Sequence, residues 1–405
     1  MKDNVPDEPV GPRGDASTSS RWWRRRRWQV ALGTVVVLAL VASISGFLFL
    51  QHLDRNLTVR DYEERLRDRP TNEAIEGPRE PLDVLIMGSD SREGPGNAID
   101  REDDGSKRSD TTILLHLSAD RSRAYGVSLP RDALVTRPDC IAEDGSTIPG
   151  AERVMFNTAF AVGGAACTIQ TVEQLTGVRI EHHVELDFAG FRTMVDALGG
   201  VEVCIPREVD DPDKGIFLKA GVQELDGDAA LDYVRERSKL SVNADIGRMR
   251  RQQAFIASMA NKIVSADMLV RPDRLVRFLD AATSSLTIDE GLGGVLDLAA
   301  LGRQFSGIGL ENITFVTVPF VEAPEYGRLE LTEEAEELWA LMRRDRPLGD
   351  FGGDDQITAA DRPGRPDRDP GPSVGPVQPS ESPSAPGATE EPTPELEATA
   401  DGLCA

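Results

Sequence analysis

The sequence predicts a three-layer α/β/α sandwich that lies behind one N-terminal transmembrane helix and is followed by a disordered C-terminal tail. Three observations support this prediction. Short apolar runs alternate with amphipathic helical stretches, a long uncharged run lies near the N terminus, and acidic and proline residues dominate the C-terminal end. Alternating strands and helices are typical of a sheet covered by helices. The chain is therefore divided into a basic leader, a membrane helix, a stalk, a globular domain and a tail, at residues 1–27, 28–50, 51–81, 82–348 and 349–405.

The membrane helix is predicted from the run between Trp28 and Leu50, which contains no charged side chain and follows four arginines at positions 24 to 27. A helix of this length spans roughly 34 Å, enough to cross a hydrocarbon core of about 30 Å. A cleaved signal peptide is the alternative, but its apolar region is usually shorter. The arginines favour a cytoplasmic N terminus, which places the domain outside the cell.

Composition limits the classes of function. The net charge of −24 disfavours nucleic acid as a partner. From Asp350 onward there are twelve acidic and three basic residues and few large apolar ones, so this tail is predicted to be disordered.

The sequence contains no G-x-S-x-G elbow, no P-loop and no G-x-G-x-x-G after a strand. Serine hydrolases of the usual type and nucleotide-driven enzymes are therefore disfavoured.

Polar groups adjoin the first three predicted strands of the domain. The first strand is followed by a loop that contains Asp90, Asp110 directly precedes the second, and Arg131 follows the third. Groups at strand ends are held by the sheet and remain accessible. Two carboxylates without a thiol or imidazole suit a hard cation such as Mg²⁺, whereas turn formation or helix capping is the alternative. The three strands are predicted at residues 82–87, 111–117 and 124–129.

The later elements follow the same pattern. Runs that end at glycine predict helices, and short β-branched runs predict strands. Helices are expected at residues 156–161, 168–176, 191–198, 275–279, 296–301 and 332–341, and strands at 182–188, 201–206 and 312–319.

A basic cluster interrupts this acidic chain and indicates a site for an anion, although a solvated basic face is the alternative. If residues 231–237 are extended, Tyr233, Arg235 and Arg237 share one face. From Asp245 the apolar spacing becomes helical, and Arg248 and Gln252 then share a helix face. The cluster consists of Arg235, Arg237, Arg248, Arg250 and Arg251.

The four cysteines allow a disulfide in an exported domain. Cys140 and Cys167 flank a polar loop, and we expect them to pair. Cys204 lies in an apolar strand and is interpreted as a core residue. Cys404, in the predicted tail, receives no role.

Taken together, these motifs resemble the LytR-CpsA-Psr family of membrane-anchored cell-wall glycopolymer ligases, over residues 82–264. The segment from Cys167 to Gly177 and the Arg- and Pro-rich composition are similar to those of actinobacterial proteins. The matching segments are Leu85 to Arg92, Arg108 to Thr111, Ser128 to Asp132, Phe156-Asn157, Val195 to Val201, Ala230 to Arg237 and Asp245 to Gln253.

The resemblance implies transfer of a glycopolymer from a polyprenyl-pyrophosphate carrier to peptidoglycan outside the membrane, and an apolar pocket for the polyprenyl chain. It implies a Mg²⁺ ion, or Mn²⁺ in its place, on Asp90 and Asp110. Hydrolysis of the pyrophosphate and a non-catalytic envelope regulator are the alternative functions. Arg250 and Arg251 are interpreted as solvated or structural. The implied catalytic residues are Asp90, Asp110, Arg131, Arg235 and Arg237, and the implied pyrophosphate-binding residues are Arg108, Arg131, Arg235, Arg237, Asp245, Arg248 and Gln252.

Overall fold

The computed structural model describes residues 18–75, 77–89, 109–212, 214–237, 239–241, 244–264, 271–349, 351–353, 356–361 and 403–404. Asp90 and Arg108, both predicted site residues, lie outside the described residues. The chain forms two compact units, residues 1–52 and 53–405.

The described part of the first unit is helical. Helix α1 begins at Thr18 and ends at Asn56. Its portion Arg27–Asn56 is long and apolar enough to cross a membrane, judged by length and composition. The predicted membrane run 28–50 falls inside this portion.

The second unit contains the remaining elements. Seven further helices are described: α2 (Thr158–Thr176), α3 (Phe188–Leu198), α4 (Gly227–Arg235), α5 (Ala244–Val264), α6 (Pro272–Ser285), α7 (Val295–Ser306) and α8 (Glu333–Arg343). The described strands are β1 (Thr58–Val59), β2 (Leu82–Ser89), β3 (Ser109–Leu117), β4 (Ala124–Leu129), β5 (Leu134–Arg137), β6 (Cys140–Ile141), β7 (Thr147–Ile148), β8 (Ala151–Met155), β9 (His182–Asp187), β10 (Val201–Ile205), β11 (Val209–Asp211), β12 (Ile216–Leu218), β13 (Gly221–Leu225), β14 (Leu286–Ile288), β15 (Ile313–Thr317), β16 (Phe320–Glu322), β17 (Leu329–Leu331) and β18 (Ile357–Thr358).

The central sheet is mixed, with the strand order β1-β14-β9-β2-β3-β4-β15-β18. Strand β3 is antiparallel to both β2 and β4, and β4 is parallel to β15. Thr112 at the start of β3 pairs with Leu129 at the end of β4. The beginning of β3 and the chain that leaves β4 therefore lie at the same end of these two inner strands, and the site residues lie there.

Helices cover both faces of this sheet. On one face, Val127 belongs to the same buried cluster as Val172 of α2 and Trp339 of α8. On the other, Ala124 and Phe315 share a cluster with Ala254 and Ala257 of α5. Neighbouring residues of a strand point to opposite faces, which explains why Ala124 and Val127 enter different clusters. The predicted three-layer α/β/α sandwich is confirmed.

The conformation predicted for residues 231–237 is wrong, because most of this segment is the helix α4 rather than a strand. The Asp226 side chain accepts a hydrogen bond from the Ala229 amide at 3.0 Å and caps the helix. Ala230, Leu231 and Val234 share one helical face and are buried against α5 and the neighbouring strands. The alternation of Tyr233 and Arg235 suggested a strand, but the cap and the apolar spacing determine the fold.

The predicted stalk and tail contribute to the domain. Leu53 and Leu57 are buried, and Leu57 shares an apolar cluster with Ile288 and Leu292. Strand β1 pairs in parallel with β14. Beyond residue 348, β18 adds the last strand of the sheet. Cys204 is buried in the core, as expected, and it forms a disulfide with Cys404, a partner that the sequence analysis did not identify. The structure also contains the expected Cys140–Cys167 disulfide.

A buried charge network lies at the far end of β3. His116 is fully buried, with Nδ1 at 2.8 Å from Asp83 Oδ1 and Nε2 at 3.3 Å from Asp345 Oδ1. Asp345 also accepts hydrogen bonds from the Ala119 amide and from Arg123. Burial alone lowers the pKa of His116, but Asp83 and Asp345 outweigh that effect and raise it to about 9.

This network predicts a pH-dependent stability. The folded-state pKa of His116 lies above the ordinary value of 6.5, so the stabilisation is complete below about pH 6.5 and is lost as the pH rises toward 9. We expect the free energy of unfolding to fall over this range in the wild-type protein and to fall less in His116→Gln. Urea unfolding at several pH values measures both slopes. Equal slopes would show that His116 stays neutral in the folded protein.

Candidate functional site

Asp110 is the centre of a cluster of charged side chains at this end of the sheet. Its Oδ1 accepts a hydrogen bond from Arg131 Nη1 at 2.6 Å, and its Oδ2 lies 3.4 Å from Arg237 Nη2. The Asp110 side chain is 17% exposed, so the carboxylate lies at the mouth of the site. One carboxylate therefore holds two guanidinium groups that come from separate parts of the chain.

The fold explains why these residues meet. Asp110 is the second residue of β3, and Arg131 follows the end of β4, the antiparallel neighbour of β3. Arg237 lies two residues after the end of α4, and α5 begins with Asp245 in its first turn. Helix α5 is fixed to the same end of the sheet by Gln253, whose amide donates to Ser128 Oγ at 2.8 Å and to Thr317 Oγ1 at 3.0 Å.

The guanidinium of Arg131 is shared among three carboxylates. Besides Asp110, its Nε donates to Asp132 at 2.9 Å, and its Nη2 lies 3.7 Å from Asp245 Oδ1. A planar guanidinium carries several donors in a fixed geometry, which lysine does not provide. Arg131 therefore joins the loop after β4 to β3 and to the first turn of α5.

Arg248 is the most buried of the clustered arginines that face Asp110, with a side chain that is 2% exposed. Its Nη1 lies 2.9 Å from Asp245 Oδ1, but the angles are not those of a hydrogen bond. Among the described residues, Arg248 Nε and Nη1 have no hydrogen-bond partner. Buried donors are costly to leave without an acceptor, so this side chain is poised for an anion.

The pKa values agree with a site that attracts an anion. Burial opposes ionisation of Asp110, but Arg131, Arg248 and Arg237 outweigh burial and lower its pKa. Burial, followed by the nearby charges of Arg237 and Arg131, lowers the pKa of Arg248 to about 10. Burial and Arg131 likewise lower the pKa of Arg237. Arg237 and Arg248 are crowded by neighbouring arginines, and a bound anion would relieve that repulsion. For Arg131, burial lowers the pKa, but the three carboxylates around it outweigh burial and raise it.

The structure thus brings together five of the predicted site residues, namely Asp110, Arg131, Arg237, Asp245 and Arg248. Two others have different surroundings. The guanidinium of Arg235 lies over the Phe188 ring of α3, 5.0 Å from its centroid. Gln252 is buried and donates from Nε2 to the Val234 carbonyl at 3.2 Å, so it supports the end of α4.

Sequence reasoning missed the supporting role of two residues, Glu236, which is fully buried beside the cluster, and Gln253, which links α5 to the sheet. Arg251 was interpreted as solvated or structural, and its complete burial selects the structural role. The signal for Gln253 was its position on the apolar face of α5, among Ile246 and Met249, where a polar side chain needs a buried partner. No comparable pattern marks Glu236, which stands between two arginines in a charged segment.

The fold and the site define an α/β/α sandwich with an arginine- and aspartate-lined site at one end of its central sheet. The model of the LytR_cpsA_psr family matches residues 50–344. The chain therefore belongs to this family, as its motifs indicated.

Individual relatives give the same result. The chain is 32% identical over 309 residues to the cell wall biosynthesis protein LcpA of Corynebacterium glutamicum, covering 68% of this chain and 58% of that protein. It is 26% identical to a polyisoprenyl-teichoic acid–peptidoglycan teichoic acid transferase, TagV of Bacillus subtilis, over 72% of this chain and 70% of the relative. The solved LytR-Csp2A-Psr enzyme from Actinomyces oris is 25% identical, with a TM-score of 0.51 and coverage of 71% and 95%. Two of these relatives are from Corynebacterium and Actinomyces, in keeping with the actinobacterial resemblance.

Proposed function

We propose that the protein transfers a glycopolymer from a polyprenyl-pyrophosphate carrier to a hydroxyl group of peptidoglycan. The observation that carries this proposal is the arrangement of Arg131, Arg237 and Arg248 around Asp110, in which two donors of Arg248 have no acceptor among the residues that the structure describes. The relatives support it, since TagV is named as a transferase of polyisoprenyl-linked teichoic acid to peptidoglycan. The chain spans only 58% of LcpA, so the activity is argued from the site and not from that relative.

The chemistry of pyrophosphate suits this cluster. Phosphoryl transfer depends mainly on neutralising charge and on aligning the attacking and leaving oxygens. Arginine binds phosphate oxygens with two parallel donors. Arg131 and Arg237 would contact the pyrophosphate from the open side, and the buried Arg248 would bind an oxygen that enters the cluster. Asp245 lies 3.7 Å from Arg131 and 2.9 Å from Arg248 and partly neutralises their charges.

The proposed reaction exchanges one P–O bond for another. The acceptor hydroxyl oxygen attacks the phosphorus that carries the glycan, and a new P–O bond forms. The bond from that phosphorus to the bridging oxygen breaks, and polyprenyl phosphate leaves. The acceptor proton passes to a base or to solvent. Arg131, Arg237 and Arg248 stabilise the negative charge that builds up on the phosphoryl oxygens.

A divalent cation fits the chemistry of the donors. Asp110 offers a partly exposed carboxylate, the type of ligand that Mg²⁺ prefers, with Mn²⁺ as the alternative ion. Within the described ranges there is no group of three or more His, Cys, Asp or Glu residues arranged for a metal, and the second proposed ligand, Asp90, is outside them. When bound, the ion would neutralise pyrophosphate charge, and Asp110 would then hold the arginines less tightly.

The apolar helix α1 supports a membrane anchor. We place its basic N-terminal end in the cytoplasm and the α/β domain outside, because arginines are retained on the cytoplasmic side. This orientation puts the site in the compartment that holds peptidoglycan.

A product analysis tests the function. The full-length protein in lipid nanodiscs is incubated with a polyprenyl-pyrophosphate-linked oligosaccharide and Mg²⁺, with and without purified peptidoglycan. We expect a phosphodiester-linked adduct on peptidoglycan together with polyprenyl phosphate. Release of glycan phosphate at the same rate in both reactions would instead establish hydrolysis, and no turnover in either would reject the proposal.

A further inference from the structure

Glu236 is a fully buried acidic residue that stands between Arg235 and Arg237. Its carboxylate accepts hydrogen bonds from the backbone amide of Lys239 at 3.1 and 3.0 Å and from that of Leu240 at 3.2 Å. Hydrogen bonds to a charged acceptor are stronger than neutral ones. The Glu236 side chain therefore closes a turn around the residue that follows it, Arg237.

The main chain on the other side of this turn is held by α5. Arg251, which is fully buried, donates from Nη2 to the Glu236 carbonyl. One residue further along α5, Gln252 donates to the Val234 carbonyl at 3.2 Å. Two neighbouring side chains of α5 thus donate hydrogen bonds to the Val234 and Glu236 carbonyls, at the end of α4.

The side chain of Arg237, in contrast, is held loosely. Its contacts with Asp110 Oδ2 and Asp245 Oδ1 are 3.4 and 3.8 Å long, and it is 35% exposed. Such contacts do little to fix a long side chain. The direction in which Arg237 points is therefore determined mainly by its backbone, which Glu236 and Arg251 fix.

We propose that Glu236 is a positioning residue, which holds the main chain around Arg237 so that its guanidinium faces Asp110 and the substrate phosphate. This inference rests on the proposed function and adds to it a residue that does not touch the substrate. Arg251 serves the same purpose from α5. A misplacement of about 1 Å at a reacting group can cost about 100-fold in rate.

The rival explanation is that Glu236 only stabilises the fold, and Glu173 provides a matched control. Glu173 is 2% exposed, accepts a hydrogen bond from the Ile180 amide at 2.9 Å and is bound by Arg69. It is a buried glutamate that closes a loop, and Glu173 does not contact the cluster around Asp110. Glu173→Gln and Glu236→Gln therefore each remove the charge of a buried glutamate that accepts a backbone hydrogen bond, and Glu173→Gln also breaks an ion pair with Arg69.

The test is a double-mutant cycle on the full-length protein, read by transfer kinetics and by titration with inorganic pyrophosphate. We expect Glu236→Gln to lower kcat by about 10- to 100-fold with little change in KM for peptidoglycan, because the amide nitrogen that replaces one carboxylate oxygen cannot accept from the N–H groups of the turn. In the Arg237→Ala background the same change is expected to cost less than about twofold, because Glu236 acts through Arg237. Glu173→Gln keeps wild-type kcat. Thermal unfolding of each variant separates loss of fold from loss of rate.

Equal losses in the wild-type and Arg237→Ala backgrounds would overturn the inference, as would normal kcat in a folded Glu236→Gln protein. If Glu236→Gln does not fold, Arg251→Lys replaces it in the same cycle, with the same expectation and the same contrary result. A wild-type protein that neither transfers glycan nor binds pyrophosphate would reject the proposed function itself. A wild-type protein that does both, with non-interacting Glu236 and Arg237, would reject this inference alone.

Discussion

Asp110→Asn is expected to lower the rate of glycan transfer by about 100- to 1000-fold, the largest effect of any single substitution in the domain. The asparagine keeps the size of the side chain but removes the charge that Arg131 and Arg237 share. It also removes the carboxylate proposed as a ligand for the cation. Asp110 is ionised at neutral pH, because the surrounding arginines lower its pKa, so its charge is present throughout the working range.

In Asp110→Asn, the affinity for pyrophosphate and the rate of glycan transfer should respond differently. Inorganic pyrophosphate, titrated without a divalent cation, should bind Asp110→Asn at least as tightly as the wild type, because a competing carboxylate has been neutralised. Asp120→Asn is the matched control, since Asp120 lies beyond the opposite end of β3 and contacts Ser118 and Ser122. Near-normal transfer by Asp110→Asn, with Mg²⁺ present, would contradict the role given to this carboxylate.

Arg131→Lys is expected to cost about 100-fold in transfer rate even though the charge is retained. Arg131 reaches Asp110, Asp132 and Asp245 through three different nitrogens, and one ammonium group cannot occupy the three positions. Asp110 on β3 and Asp245 in the first turn of α5 would then no longer be joined through one side chain. Steady-state kinetics and pyrophosphate titration measure the loss.

The control for Arg131→Lys is Arg153→Lys. Arg153 also binds two carboxylates, Glu325 and Glu330, but its side chain is 57% exposed and these residues do not contact Asp110. Exposed ion pairs contribute little, so this variant should behave as the wild type. If Arg131→Lys retained more than about a third of the wild-type rate, the shared contacts of Arg131 would be irrelevant to the reaction.

The sequence predicted the parts of the site that depend on strand ends. Asp110 and Arg131 adjoin neighbouring antiparallel strands, so their proximity follows from the order of the elements. Asp245 and Arg248 are three residues apart on a helix, which places them on one face regardless of tertiary structure. Strand order and helical spacing determine these positions, and both can be read from a sequence.

Other features depended on distant contacts. The segment 231–237 satisfies both a strand and a helix pattern, and burial of α4 against α5 decides between them. Arg235 was expected to face the same ligand as Arg237, but its position over Phe188 depends on where α3 lies. The Cys204–Cys404 disulfide joins residues 200 positions apart, and no spacing rule predicts such a pair.

The role of the arginine cluster is best tested by a structure of the full-length protein in nanodiscs, bound to polyprenyl pyrophosphate and Mg²⁺. We expect pyrophosphate oxygens within hydrogen-bonding distance of Arg131, Arg237 and Arg248, with the cation on Asp110. Pyrophosphate bound elsewhere, with the contacts of Asp110 to Arg131 and Arg237 unchanged, would contradict this role.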